Sequence, residues 1–229
     1  MKNFKTIIDN LTNKKNFAFV RFNDGEMKAI QKVGSIIARG DQIVNQSLHD
    51  KLLEALTHKQ DNYWIGKPCS ICFPKYRNLF DTIVNPTYQF LTCATLLCNN
   101  GHWIKFINSF NDCCKNRNCV WISGKDQNLN KLKMKFTNLN IINNIQLPSK
   151  NCWNEYNSIK EEYKKFKPDN LILLSCGPLS RVLCYEWFKE RNDCTFLDLG
   201  STFDPFTRNV WHRCHNEKLP FCKECNFEK

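Results

Sequence analysis

The chain has no apolar run approaching the roughly 18 residues that a membrane-spanning helix needs. Its opening stretch, MKNFKTIIDNLTNKK, lacks a signal-peptide core, so the expected location is cytoplasmic, with no transmembrane segment. Glycine is scarce, at 8 residues in 229, and none sits in a G-x-G turn. A methyltransferase built on a Rossmann sheet would want that turn. No internal repeat and no low-complexity linker divides the sequence. Arginine is also rare: 8 against 25 lysines, beside 29 asparagines. The formal net charge of +11 invites a nucleic-acid partner, yet Lys and Asn enrichment with little Arg is equally what an A/T-rich genome produces. The charge is spread out, apart from short stretches at Lys131, Lys133, Lys135 and Lys164, Lys165, Lys167. Nucleic acid is therefore not the expected partner. Attraction of anionic substrates is a use that such charge does support.

What is plentiful is apolar and sulfur-bearing. A hydrophobic content of 42% and 13% aromatics place the chain among globular proteins, and its length suffices for a full core. Fourteen cysteines in a chain without a secretory signal are expected to be thiols or metal ligands rather than a disulfide framework. Cys93, Cys98, Cys176 and Cys184 lie in apolar runs, where Cys acts as a small hydrophobe.

Periodicity supplies the elements. Phe4, Ile7, Ile8 and Leu11 recur at helical spacing and predict an amphipathic helix. Phe17–Val20 reads as a buried strand and Glu26–Val33 as a short helix. Ser47 is the expected N-cap of a helix carrying Leu48, Leu52, Leu53 and Leu56. Tyr63–Gly66 is a short strand, and Asn85-Pro86 opens a helix expected to end near Gly101. From residue 119 strands and helices alternate: Cys119–Ile122, Leu129–Phe136, Ile141–Leu147, Asn151–Lys167, Leu171–Ser175, Pro178–Glu190, Cys194–Leu199. That alternation implies βαβ units and a mostly parallel, Rossmann-like α/β sheet flanked by helices. One domain is expected over 1–205, followed by a Cys/His-rich extension over 206–229.

Three strand ends carry chemistry. In NFAFVRFNDGEMKAI (16–30) the apolar strand stops at Arg21-Phe22-Asn23-Asp24-Gly25-Glu26. Asp24 and Glu26 offer two carboxylates to a hard divalent cation, Arg21 suits phosphate, and Gly25 is expected to free the turn. In LILLSCGPLSRV (171–182), Gly177 and Pro178 open a helix whose N–H groups, with Ser180 and Arg181 near, are expected to hold an anion. In CTFLDLGSTFDPF (194–206), Asp198 and Asp204 are candidate general bases on an acceptor hydroxyl.

These segments, in order over roughly residues 15–205, resemble the GT-D type of glycosyltransferase, a bacterial family first catalogued as a domain of unknown function. Its opening motif is Arg-aromatic-Gly-Asp-Gly-Glu; here it is RFNDGE, with Asn23 in place of Gly, a residue that tolerates positive φ. ARGDQIVNQSLHDKLLEAL (38–56), PSKNCWNEYNSI (148–159), LILLSCGPLSRVLCYEWF (171–188) and FLDLGS (196–201) resemble its later blocks, although Ser201 stands where a His is expected. The resemblance implies sugar transfer from a nucleotide donor, a UDP-sugar, to a hydroxyl on a glycan or glycoprotein acceptor. It implies Mn²⁺ or Mg²⁺ on Asp24 and Glu26, a catalytic role for those two and Asp204, and nucleotide contacts from Arg21, Asn154, Gly177, Pro178 and Ser180. The alternative is a non-catalytic or nucleic-acid-binding α/β module using the positive charge. Outside the resemblance, HRCHNEKLPFCKEC (212–225) offers Cys214, His215, Cys222 and Cys225 as a separate structural Zn²⁺ set, with Cys69-x-x-Cys72 competing as a partner.

Overall fold

The computed structural model describes residues 4–37, 42–84, 90–94, 97 and 102–210. In chain order the elements are α1 (Phe4–Thr12), β1 (Ala18–Arg21), α2 (Asp24–Gln31), β2 (Ile36–Ile37), β3 (Gln42–Ile43), α3 (Gln46–Thr57), β4 (Tyr63–Lys67) and α4 (Pro74–Ile83). There follow β5 (Phe90–Cys93), α5 (His102–Cys113), β6 (Asn118–Gly124), α6 (Leu129–Lys135), β7 (Asn140–Leu147), α7 (Tyr156–Ile159), β8 (Leu171–Ser175), α8 (Leu179–Glu190), β9 (Thr195–Asp198) and α9 (Asp204–Thr207).

Seven strands form one sheet in the order β5-β4-β1-β9-β8-β6-β7, with every pairing parallel. The α/β architecture expected from the alternation is therefore present. Strand side chains alternate between two cores. Ala18, Val20, Ile65, Ile122, Ile172 and Leu174 face one side, where α2, α3 and α8 pack. Phe17, Phe19, Trp64, Trp121, Leu171 and Leu173 face the other, where α1, α5 and α6 pack. Both faces are covered, which explains why the strands read as continuous apolar runs. Cys93, Cys119, Cys176, Cys184 and Cys194 are buried in these layers. Burial pushes the thiols of Cys119 and Cys194 up to about 12, so they behave as inert hydrophobes. No helix among the described residues is long and apolar enough to cross a membrane.

Four local expectations are corrected. Within the helix expected from Asn85 to Gly101, Phe90–Cys93 form β5, which pairs in parallel with β4, while Asn85, Pro86 and residues 98–101 lie outside the described residues. Gly66 makes this possible, because a Cβ there would lie 2.8 Å from the Ala94 Cα. The cap of α3 is Asn45, whose side chain accepts the Leu48 N–H at 2.8 Å, and Ser47 lies within the helix. The continuous helix over 151–167 is instead α7 between two 3₁₀ turns, Cys152–Glu155 and Glu162–Lys165. Side chains of α8 and its end capture carbonyls that a continuous helix would use: Trp187 Nε1 donates to Lys160 at 2.8 Å, and Arg191 donates to Tyr163 and Phe166. Finally, Asn23 has φ −113 and Gly25 does not adopt positive φ, so the RFNDGE turn needs no left-handed residue.

Candidate active site

In the sheet order β1 lies between β4 and β9. The chain leaves β1 toward β4 and β5 on one side and returns to it through β9 on the other. Such a switch point leaves a crevice beyond the carboxyl ends of the strands, where ligands bind in this class of fold. Four elements meet there through a buried ion cluster.

Asp198 ends β9 and is fully buried. Its Oδ2 accepts the Arg21 N–H at 3.1 Å and lies 3.0 Å from Arg181 Nε and 3.5 Å from Arg21 Nε. Arg181, in the first turn of α8, sets its Nη2 3.1 Å from Glu26 Oε1. It also donates to the carbonyls of Arg21 at 3.0 Å and Gly177 at 2.6 Å. Glu26 Oε2 accepts the Asn23 N–H at 3.1 Å, which fixes the first turn of α2. Arg21 Nη1 donates to Ala94 at 3.3 Å. Its guanidinium passes over Gly200, which has φ +51 and whose Cβ, if present, would lie 1.6 Å from Arg21 Nη2. Only glycine fits there.

Asp24 sits at the rim, exposed, on the first residue of α2. Partial desolvation of its carboxyl and the nearby Glu26 charge raise its pKa above the ordinary 3.8, against opposing backbone hydrogen bonds from Gly25 and Asp24 itself. The cluster thus holds three carboxylates (Asp24, Glu26, Asp198) against two guanidiniums (Arg21, Arg181). Nothing lies within 4 Å of a Cβ built on Gly25, so space is open above this turn.

The remaining expected site residues are placed as follows. Gly177 is exposed at the end of β8, with φ +60. Ser180 is fully buried, and its hydroxyl accepts the Cys176 N–H at 3.0 Å. Pro178 is buried and caps α8. The N–H of Ser180 is taken by Gly177 and that of Arg181 by Pro178. These two donors of the helix start are therefore satisfied internally, where open donors were expected. Asn154 is exposed, and its N–H bonds Asn151 at 3.0 Å. Trp153 is buried and stacks on Tyr156 at 4.6 Å. Asp204 is buried in α9 with its Oδ2 3.5 Å from Arg208, which also pairs with Asp126 at 2.7 Å. Cys214, His215, Cys222 and Cys225 lie outside the described residues. Among the described residues, no group of three or more His, Cys, Asp or Glu side chains gathers as a metal cage.

Sequence reasoning read Asp198 as a candidate general base and Arg181 as a neighbour of the anion-binding turn, whereas the structure buries the two together as an ion pair; the role of Gly200 was missed. The available signal was position: Arg21 and Asp198 each end a central strand.

A parallel α/β sheet with charged groups gathered at its switch point defines a class of α/β folds that bind ligands beyond the carboxyl ends of their strands. The model of the family described as "Glycosyltransferase GT-D fold" matches residues 97–219, more than half of the chain, and the chain belongs to that family. No curated protein matches. A solved structure titled as a new glycosyltransferase (domain of unknown function 1792) from Streptococcus sanguinis is similar, with TM-score 0.71 and 18% identity over 93% of this chain and 86% of that one. A second, titled as the highly conserved domain of unknown function 1792 with a distinct glycosyltransferase fold, has TM-score 0.70 and 17% identity over 97% and 91%. At these identities the likeness carries the fold alone. It covers nearly the whole chain, whereas the family match begins at residue 97.

Proposed function

We propose that this member of the GT-D family transfers a sugar from a UDP-sugar donor to a hydroxyl of a glycan or glycoprotein acceptor, with Mn²⁺ or Mg²⁺ held at Asp24. The carboxylate excess at the sheet's switch point carries this reading. Asp24 pairs with no cation among the described residues, and its proton affinity is raised where a divalent ion would lower it. An all-oxygen donor set with few protein ligands suits Mg²⁺ or Mn²⁺, which complete their shells with water and substrate phosphates. Glu26 supports the same turn, its carboxylate oriented by Arg181 and the Asn23 N–H. When bound, the ion supplies Lewis-acid stabilisation of the departing diphosphate.

The chain's own groups do the rest. Arg181 and Arg21, paired with Glu26 and Asp198, hold the strand ends and the first turn of α2 in fixed positions, so the site is set before the donor binds. Gly25 leaves room for the phosphates above α2, and exposed Gly177 lines the neighbouring strand end. Asn154 is the expected hydrogen-bonding partner of the nucleotide at the crevice edge. Asp204, the expected base, is buried in α9 and paired with Arg208.

The test is titration calorimetry of the purified chain with UDP, with and without Mn²⁺, on the parent and on Asp24→Asn. Binding that needs Mn²⁺ in the parent and is lost in the variant is expected. UDP binding that is indifferent to chelator and to Asp24 would overturn the proposal.

A further inference from the structure

Arg117, the residue before β6, lies at the amino edge of the sheet, opposite the candidate active site, and is 2% exposed. Its guanidinium reaches the amino ends of three other strands. Nε and Nη2 donate to the Asp169 carbonyl ahead of β8 at 3.3 and 3.1 Å. Nη2 also donates to Thr195 Oγ1, at the start of β9, at 2.9 Å and to Asn16 Oδ1, ahead of β1, at 3.5 Å. All of these acceptors are neutral. Nη1 is buried and donates to no atom among the described residues. Arg117 forms no ion pair among them either. The carboxylates of these loops have other partners: Asp169 is exposed and accepts from Asn16 Nδ2 at 3.2 Å, and Asp193 takes Arg191 at 2.8 and 3.0 Å. Nor do the neighbouring thiols supply a negative charge. Burial raises Cys114 well above its ordinary 9.0 and Cys119 to about 12, so both stay neutral near pH 7.

A buried charge that meets only dipoles is costly, because water has been removed and no counter-charge replaces it. The contrast with the carboxyl edge is direct, since Arg181 there meets both Glu26 and Asp198. We propose that the Nη1 edge of Arg117 binds a small monovalent anion, of the size and charge of chloride. Each guanidinium nitrogen of this kind offers N–H groups in a fixed fork, which a monatomic anion accepts without having an orientation of its own. Size sets the class of ligand: Nη1 is covered by protein, which leaves no room for a phosphate or carboxylate carried by a larger molecule. Lys15, Lys115 and Lys167 are exposed on loops of the same edge and favour the approach of anions. The bound anion neutralises the guanidinium and locks the starts of β1, β6, β8 and β9 together. The site is separate from the sugar-transfer chemistry.

Thermal unfolding of the full chain tests this, with chloride replacing gluconate at constant ionic strength so that screening stays the same. An anion held only by the folded state raises Tm with its concentration, and at about ten times Kd the rise should be roughly 3–6 °C for a chain of this length. General salt effects act on parent and variant alike, so the part of the response lost in Arg117→Met measures the site. Crystals grown with bromide give a second measurement that does not depend on the variant folding: an anomalous peak is expected against Arg117 Nη1. An equal chloride response in the parent and in Arg117→Met would overturn the proposal. So would bromide crystals with no peak at Nη1, whether they show water there or an adventitious ion only on the surface.

Discussion

Asp24 and Glu26 are two positions apart on one helical turn, yet their surroundings separate their tasks. Glu26 is held by Arg181 and a backbone amide, whereas Asp24 faces the crevice with a raised pKa. A carboxyl with a raised native pKa binds protons more readily folded than unfolded, so ionising it costs stability as pH rises through that value. A cation at Asp24 reverses the sign, since it needs the carboxylate. The Mn²⁺-induced rise in Tm should therefore grow with pH through the window just above 3.8, and Asp24→Asn should flatten it. A Tm shift that is constant across that window would refute the assignment.

Two glycines make opposite predictions. Gly200→Ala meets both a positive φ and the Arg21 guanidinium, and the backbone strain alone is worth about 1–3 kcal/mol. Its urea midpoint should fall. Gly25→Ala adds a methyl to a helical turn with nothing in its way and should gain about 0.5–1 kcal/mol. That methyl occupies space assigned to the phosphates, so UDP should bind more weakly although the protein is more stable. Gly25→Ala that leaves calorimetric affinity unchanged would place the phosphates elsewhere.

Among the elements, Arg181 of α8 joins α2, β1 and β9 through Glu26, the Arg21 carbonyl and Asp198. Removing one partner of a buried ion pair strands the other, at about 3–5 kcal/mol. Arg181→Met should therefore lower the denaturation midpoint sharply. Asp198→Asn in that background should restore part of the loss. Arg181→Lys should behave like Met more than like Arg, because one ammonium cannot reach Glu26 and Asp198 as a planar fork does. If Arg181→Lys unfolds at the parental midpoint, the cluster is not the tie between these elements.

The same elements show how much the sequence discloses. β1, β4, β6, β8 and β9 each stand on an apolar run that two cores demand, and such runs are visible without a structure; β7, at the sheet edge and largely exposed, shows only Ile141, Ile145 and Leu147 toward the cores. β5 was not visible, because a short apolar segment reads as helix or strand until a neighbour offers it an edge. The β2–β3 hairpin pairs only two residues on each side, too few for an alternating pattern. The 152–165 segment kept its aromatic spacing but lost its helix to hydrogen bonds from Trp187 and Arg191, partners distant in sequence. Within the site, the RFNDGE turn was legible as a motif. The Asp198–Arg181 pairing was not, since it joins a strand end to a helix start through space.

For the whole molecule, a formal net charge of +11 sets up self-repulsion that salt relieves. Raising ionic strength from near zero to ~0.15 M, where the screening length is about 8 Å, should raise the Tm. It should also slow association with an anionic donor, a change that stopped-flow mixing measures. A Tm that falls with salt would mean that surface ion pairs outweigh the repulsion.

The sheet order has a further consequence for how the chain comes off the ribosome. β1, among the first strands made, sits mid-sheet beside β9, the last of the described strands. Until residues near Asp198 emerge, β1 has only one neighbour, its Phe17 and Phe19 lack part of their cover, and Arg21 waits for its counter-ion. The strand-end crevice is thus sealed only once β9 has been made, and a nascent chain halted before β9 should be the species that chaperones hold.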